Sequence, residues 1–466
     1  MAASTKSKMQ PVCNTCRKYL FHFASEHFEF KLAELKAIAS LTKSEFKINE
    51  EDYDEKNPFL VVELPSEDHV HKLLSRSVLL RSVYELWAEG KTTEELNNNI
   101  RQLPSQFISP YLQADQSFGI RVESFNKKIP QNIKTEKIKA LPFDVLDFQG
   151  KVDLNNAMNT FHLFEYYGYE CSKPPEYPFH LYFGRWIAGG QRDRIQDLHL
   201  QKRHFIGNTS MDAGLSLIMS NMAKVTNNSL VLDPFVGTGS LLVAAAHHGG
   251  YVMGTELDFL LLHGQGKPSR YKQTKRASDE SIRRNLEQYG TGSRYIDAIV
   301  GDSSKHDMWR PETYFDAIIT DPPYGIREPA KKIGAASEQY IISEEVKDIH
   351  IPQKVQYQLS DIFRDLLNFA AKYLRLGGRL VFWFPVIRSD YLESNIPIHP
   401  SFQLIANCQQ PLNSKVARRL ITMEKIHNFQ ESSRDASVDQ DHYEDRSFRQ
   451  RYFHQQKEFP KNETKP

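Results

Sequence analysis

From about Gln201 to His427 the chain alternates short apolar runs with helical stretches, and that rhythm admits one kind of core, a mostly parallel sheet with helices packed on its faces. The runs predict strands over Ser229–Asp233, Tyr251–Glu256, Ile296–Val300, Phe315–Thr320, Leu380–Phe384, Phe402–Asn407 and Leu420–Lys425. Helices are expected at Met211–Met222, Leu241–His247, Asp279–Gln288 and Leu359–Leu374, the last stopped by Gly377-Gly378. A short link containing Pro411 joins the final two strands, so that pair should be an antiparallel hairpin.

The rest of the 466 residues leaves room for at least one more core. Residues 19–170 mix runs such as Phe59–Leu64 with amphipathic stretches such as His69–Leu80, which reads as an α+β domain. Residues 171–200, with Pro174, Pro175, Pro178 and the pair Gly189-Gly190, read as a connector. Residues 1–18 form a polar leader. In residues 428–466 the only aliphatic side chain larger than Ala is Val438, too little to order the segment, and a flexible tail is expected.

Composition excludes several classes. No apolar run approaches the ~18 residues of a membrane span, and no apolar core follows the polar Met1–Gln10, so neither membrane insertion nor secretion is expected and the address should be cytoplasmic. With 59 basic and 58 acidic side chains the net charge is +1, so any affinity for nucleic acid must come from local patches. Four cysteines fit reduced thiols. Cys13 and Cys16 form a CxxC, half of a zinc site or a redox pair, but no second pair completes it and no metal site is expected.

The first strand of the alternating region runs Leu230-Val231-Leu232-Asp233 and continues Pro234-Phe235-Val236-Gly237-Thr238-Gly239. Gly237 and Gly239 let the backbone turn sharply and approach a ligand with no Cβ in the way. The third glycine of a dinucleotide fingerprint and the Gly-Lys-Ser/Thr of a phosphate loop are both missing, so the turn is either a plain strand-to-helix turn or the floor of a different nucleoside site. About 20 residues on, Tyr251–Glu256 ends in an acid that can accept from ribose hydroxyls, with Asp258 beside it as a possible helix cap. Asp302 follows the third strand and would face an adenine amino group. Three acids at the carboxyl edge of one parallel sheet suit a neutral-to-cationic adenosyl cofactor better than a pyrophosphate.

Asp321-Pro322-Pro323-Tyr324 follows the fourth strand at the same edge. An exocyclic ring amine is a weak nucleophile because its lone pair is delocalised. Asp321 and the Pro322 carbonyl can accept its two N–H bonds and aim the lone pair, the prolines stiffen the turn, and Tyr324 offers a face to a flipped-out base. A Pro-rich turn that merely ends a strand is the plainer alternative. RNA contacts are sought among Lys202 and Arg203 before the domain, Lys267, Arg270, Lys272, Lys275 and Arg276 in a polar loop, and Arg327 in the insertion from Ile326 to Ile351, which would close over the base. Such charge runs are also what a solvated face looks like.

The quartet, with Asp233–Gly239, Glu256 and Asp302, resembles the class I amino-methyltransferases. The strings Tyr182–Ala188, Lys202–Leu215 and Tyr314–Glu328 are similar to the catalytic subunits of eukaryotic tRNA guanine N2-methyltransferases, over nearly the whole chain. The resemblance implies a Rossmann-like α/β methyltransferase domain over 201–427 preceded by a THUMP-type RNA-binding region, tRNA as substrate with guanosine 10 as target, and a small zinc-ribbon activator subunit as partner. It places Thr209 and Ser210 near the methionine carboxylate of the cofactor, although both are equally good N-caps for the helix near Met211. Rival readings are a DNA adenine or ribosomal RNA methyltransferase, a protein glutamine methyltransferase, which usually has Asn in place of Asp321, and an idle RNA-binding scaffold. The intact Asp321 and Glu256 speak against the scaffold.

Overall fold

The computed structural model describes residues 16–51, 53–169, 173–311, 314–325, 330–334, 352–430 and 435–439. The chain divides into two units, residues 1–31 with 38–192, and residues 32–37 with 193–466. Cys13, Cys171, Arg327 and most of the 326–351 insertion lie outside the described residues.

In the first unit, strands β1 (Arg17–Phe23), β2 (Phe59–Leu64), β3 (Leu80–Gly90), β4 (Phe118–Phe125), β5 (Asn159–Tyr166) and β6 (His180–Gly189) form one sheet in the order β2-β1-β3-β6-β5-β4. All pairs are antiparallel except β4 with β5. Alternation along β5 and β6 sends Phe161, Leu163, Leu181 and Phe183 into a cluster with Leu96 and Ile100 of the helix Thr93–Arg101. Phe164 and Tyr182 join Leu20, Phe59 and Tyr84 in another.

This corrects the boundaries read from sequence. The stretch expected to be a connector holds β6, a central strand, and its prolines lie just outside it. Gly184 is needed there for packing, since a Cβ would stand 2.5 Å from the Glu85 carbonyl oxygen on β3. The leader is also shorter than expected, because Arg17 and Lys18 already belong to β1.

The second unit contains β7 (Leu230–Asp233), β8 (Tyr251–Glu256), β9 (Tyr295–Val300), β10 (Phe315–Thr320), the ribbon β11 (Lys331–Ile333) with β12 (Lys354–Gln356), then β13 (Leu374–Ile387), β14 (Phe402–Pro411) and β15 (Val416–Lys425). Seven of them make a sheet in the order β14-β15-β13-β10-β7-β8-β9. Neighbours from β13 to β9 are parallel, while β15 runs antiparallel to both β13 and β14. The seven strands and the closing hairpin agree with the sequence reading. Because β15 inserts between β13 and β14, the long strand β13 has an antiparallel neighbour that spacing alone did not indicate.

Helix Leu359–Tyr373 buries Ile362, Phe363, Leu366 and Leu367 with Phe382, Phe384 and Ile421. Helices Ala213–Met222 and Ser240–His247 are buried almost throughout. The expected tail is corrected in part: Ala436 is buried, Val438 packs against the same core, and Ser437 bridges to Ile398. Val438, the largest aliphatic side chain of that segment, is thus one of several contacts that hold residues 435–439.

Candidate active site

Because β10, β7, β8 and β9 are parallel neighbours, their carboxyl ends share one edge, and that edge gathers Asp321, Asp233, Glu256 and Asp302. Asp233 is 2% exposed. It accepts from Thr320 Oγ1 at 2.7 Å and from the Phe235 amide at 3.0 Å, which fastens β7 to the last residue of β10. Burial pushes its carboxyl up to about 7; the two hydrogen bonds oppose the shift, and Asp321 and Glu256 add to it.

The turn after β7 is built as its glycines suggest. Gly237 has φ +51° and Gly239 φ +77°, both in the left-handed region. A Cβ on Gly239 would stand 2.8 Å from Ile282 Cγ2, whereas one on Gly237 would meet nothing within 4 Å. Gly239 is therefore required by packing. Gly237 borders open space, and its amide donates to Glu256 Oε2 at 3.0 Å. Glu256 Oε1 accepts from the Asp258 amide at 2.9 Å. Asp258 is the helix cap suspected from sequence, accepting from the Leu260 and Leu261 amides. The half-buried Phe235 packs against the core.

Asp302, 4% exposed, accepts from the Ser304 amide at 2.9 Å and from the Ile333 amide at 2.6 Å, so the ribbon of β11 and β12 is pinned beside it. Ser210 takes a hydrogen bond from the Gly207 amide at 2.8 Å and shares one with Thr238 Oγ1 at 2.7 Å, which sets it against the glycine turn. Neither Thr209 nor Ser210 caps the following helix. That role belongs to Asp212, whose carboxylate accepts from the Gly214 and Leu215 amides.

At the end of β10, Asp321 Oδ1 accepts from the Tyr324 hydroxyl and Oδ2 from Arg418 Nη1 at 3.3 Å. Burial, followed by the Asp321 charge, holds the Tyr324 phenol well above its ordinary value, so it stays a donor. Pro322 is buried, and the Tyr324 ring packs partly against the core. Arg418 was not singled out in the sequence. No pattern in the sequence singles it out, because its partners Asp321 and Trp383 lie on other strands and meet it near the start of β15.

The cationic candidates divide. Arg203 is 1% exposed and donates to Ser240 Oγ and the Leu198 carbonyl. Arg276 donates to the Gly266, Ile206 and Lys267 carbonyls and pairs with Glu280 at 2.6 Å. Arg270 bonds the Gln201, Arg203 and His204 carbonyls. All three staple main-chain oxygens within the fold, which favours the lysines over them as phosphate contacts. Lys202, Lys267, Lys272 and Lys275 are exposed.

A parallel sheet with a glycine turn after its first strand, acids along its carboxyl edge and an Asp-Pro-Pro-Tyr turn after the fourth defines an S-adenosylmethionine-dependent methyltransferase domain, here preceded by a separate α+β unit. Residues 17–192 match the family model described as the Tmrp11 THUMP N-terminal domain, and residues 201–336 match the RMKL-like methyltransferase domain. The tRNA (guanine(10)-N(2))-methyltransferase TRMT11 of Mus musculus is 48% identical over 94% of this chain and 95% of its own length. The protein of that name from Xenopus laevis is 48% identical over 94% of this chain and 91% of its own, and that from Dictyostelium discoideum 36% over 90% and 84%. The chain belongs to the TRMT11 family of tRNA (guanine(10)-N(2))-methyltransferases.

Proposed function

We propose that this chain is the catalytic subunit of a tRNA methyltransferase that moves a methyl group from S-adenosyl-L-methionine to the exocyclic N2 of guanosine 10. The observation that carries the reading is Asp321 on its double-proline turn, at the strand end next to β7 and the open side of Gly237. Asp321 and the Pro322 carbonyl accept the two N–H bonds of the amine and direct its lone pair, and Tyr324 supports the base. S-adenosyl-L-methionine, the methyl donor of such domains, supplies a methyl on a cationic sulfur. Glu256 suits the ribose hydroxyls, Asp302 the adenine amine, Thr209 and Ser210 the methionine carboxylate, and Asp233, Phe235, Gly237 and Gly239 the wall between donor and base. An N–C bond would form as the S–C bond breaks, and the proton the nitrogen gives up would pass to Asp321 and on to solvent.

The first unit serves tRNA binding, with Lys202, Lys267, Lys272 and Lys275 adding phosphate contacts from the second. A small zinc-ribbon activator completes the enzyme. The unpaired edge strand β9, which has no buried residue and exposes Ile296, Ile299 and Val300, is the kind of surface to which a partner adds a strand. No helix among the described residues is long and apolar enough to cross a membrane, and the cytoplasm is the proposed location.

The test is transfer of labelled methyl to unmodified tRNA by the protein co-purified with its activator, with the product nucleotide mapped by mass spectrometry. Asp321→Ala should lower transfer by at least ~10²–10³-fold while tRNA binding stays near wild type. Undiminished transfer by that variant, or methyl on another base, overturns the reading.

A further inference from the structure

We propose that Arg418 is the positioning residue for Asp321, fixing its carboxylate for the incoming amine from a seat on the buried ring of Trp383. The inference rests on the assignment of Asp321 as the acceptor of that amine.

Pro322 and Pro323 stiffen the backbone after Asp321 but leave its own side-chain torsions free, so something else must decide where the two oxygens point. Tyr324 meets one oxygen and Arg418 the other. Each contact restrains the oxygen it meets, and together they fix the plane of the carboxylate.

The guanidinium is itself anchored. Its carbon lies 4.0 Å from the centroid of the Trp383 ring. Nε donates to Gln410 Oε1 at 2.7 Å, and Nη2 stands 3.4 Å from Met211 Sδ. Trp383 is fully buried on β13, between β10 and β15, and its indole N–H reaches Met219 Sδ at 3.1 Å. Arg418 thus reaches from β15 across β13 to the turn that leaves β10. Only a planar cation with several N–H groups can stack on a ring, hold Gln410 and face a carboxylate together. A guanidinium does not deprotonate, so its contact with Asp321 is kept at every working pH. The Arg418 to Asp321 distance of 3.3 Å is longer than that of a strong charge-assisted bond, which suits an orienting contact more than a tie the substrate must break.

The experiment uses the protein with its activator, unmodified tRNA and labelled donor. Arg418→Gln should lower kcat by about 10–100-fold, the scale of a small misplacement at a reacting group, with KM for tRNA and donor affinity within about twofold of wild type. Arg418→Lys, which keeps charge without the fork, should recover part of the loss. In an Asp321→Asn background the Arg418→Gln change should cost nothing further. Should Arg418→Gln fail to fold, Gln410→Ala loosens the same guanidinium and should give a smaller fall in kcat. Wild-type kcat in either soluble variant, an equal loss in both backgrounds, or a rise confined to KM for tRNA overturns the proposal. Wild-type kcat in Asp321→Asn alone sinks instead the reading on which it rests.

Discussion

Carboxylates buried in the sheet of the first unit are partnered differently from those along the carboxyl edge of the second unit's sheet. In the first unit Glu85, with a side chain 1% exposed, faces Arg17 at 2.9 Å and Arg185 at 3.1 Å, and the equally buried Glu165 faces Lys137 at 2.6 Å. Along that edge, Asp233 accepts from the Thr320 hydroxyl and the Phe235 amide, Asp302 from the Ser304 and Ile333 amides, and Glu256 from the Gly237 and Asp258 amides among its contacts. A carboxylate paired with a cation has its charge cancelled inside the fold and acts as structure. One oriented by neutral dipoles has its charge left uncancelled by them, so burial raises the Asp233 carboxyl to about 7, and a sulfonium donor is the ligand such an edge favours. Asp321 stands between the cases, with a neutral hydroxyl on one oxygen and a guanidinium on the other.

If the contrast holds, the largest stability loss belongs to the first unit. Glu85→Ala leaves Arg185 with Glu67 at 2.7 Å but removes the buried carboxylate it shares with Arg17, and should cost about 2–3 kcal/mol in urea unfolding. Donor binding, measured by calorimetry where the variant is still folded, should not change. A loss under about 1 kcal/mol would remove the structural half of the comparison.

Asp233 tests the other half. Its carboxyl titrates at about 7 in the folded chain and near 4 when unfolded. Between those values the folded state holds a proton that the unfolded chain has released, so the cost to stability grows as pH rises from about 4 to about 7 and is complete above. Asp233→Asn should therefore stabilise the protein by about 1–3 kcal/mol at pH 8, less than the ~4 kcal/mol of a full three-unit shift because Thr320 and the Phe235 amide lose a charged acceptor. At pH 4 the gain should vanish, and at pH 8 donor affinity should fall. A stability change equal at both pH values would break the assignment.

Legibility tracked the same division. Strand ends and the acids on them could be read because a parallel sheet needs apolar runs, and the residues just past each run fall at one edge. Contacts made through space could not. β6 was hidden because Pro174, Pro175 and Pro178 look like a linker when only neighbours in sequence are weighed, although Leu181-Tyr182-Phe183 carries apolar side chains to both faces. Gly377 and Gly378 suggested a helix stop before a strand at Leu380, yet the helix ends at Tyr373 and β13 starts at once, with its register to β10 shifting between Phe315 and Ala317. Arg418 was out of reach for a related reason, since its partners Asp321 and Trp383 come from other strands. The basic residues named between Lys202 and Arg276 are all there, but a sequence does not show which side chains turn inward.

That last distinction gives the smallest expected effect. Arg270 and Arg276 bind main-chain oxygens on both sides of a loop whose tip exposes Lys272, with Lys267 and Lys275 exposed near its ends. Replacing Lys267, Lys272 and Lys275 together by Ala should weaken tRNA binding by about three- to tenfold and flatten its dependence on salt, since a protein that neutralises fewer phosphates releases fewer counterions, about one for each. Thermal stability should stay within about 1 °C, because exposed lysines contribute little to the fold. Arg276→Ala should do the reverse, lowering stability through the unsatisfied carbonyls and Glu280 while leaving the salt slope nearly unchanged. If the lysine variant binds tRNA as the wild type does and the arginine variant loses its salt dependence, the inward-turned arginines are the RNA contacts after all, and an arginine's hydrogen bonds to its own backbone do not remove it from recognition.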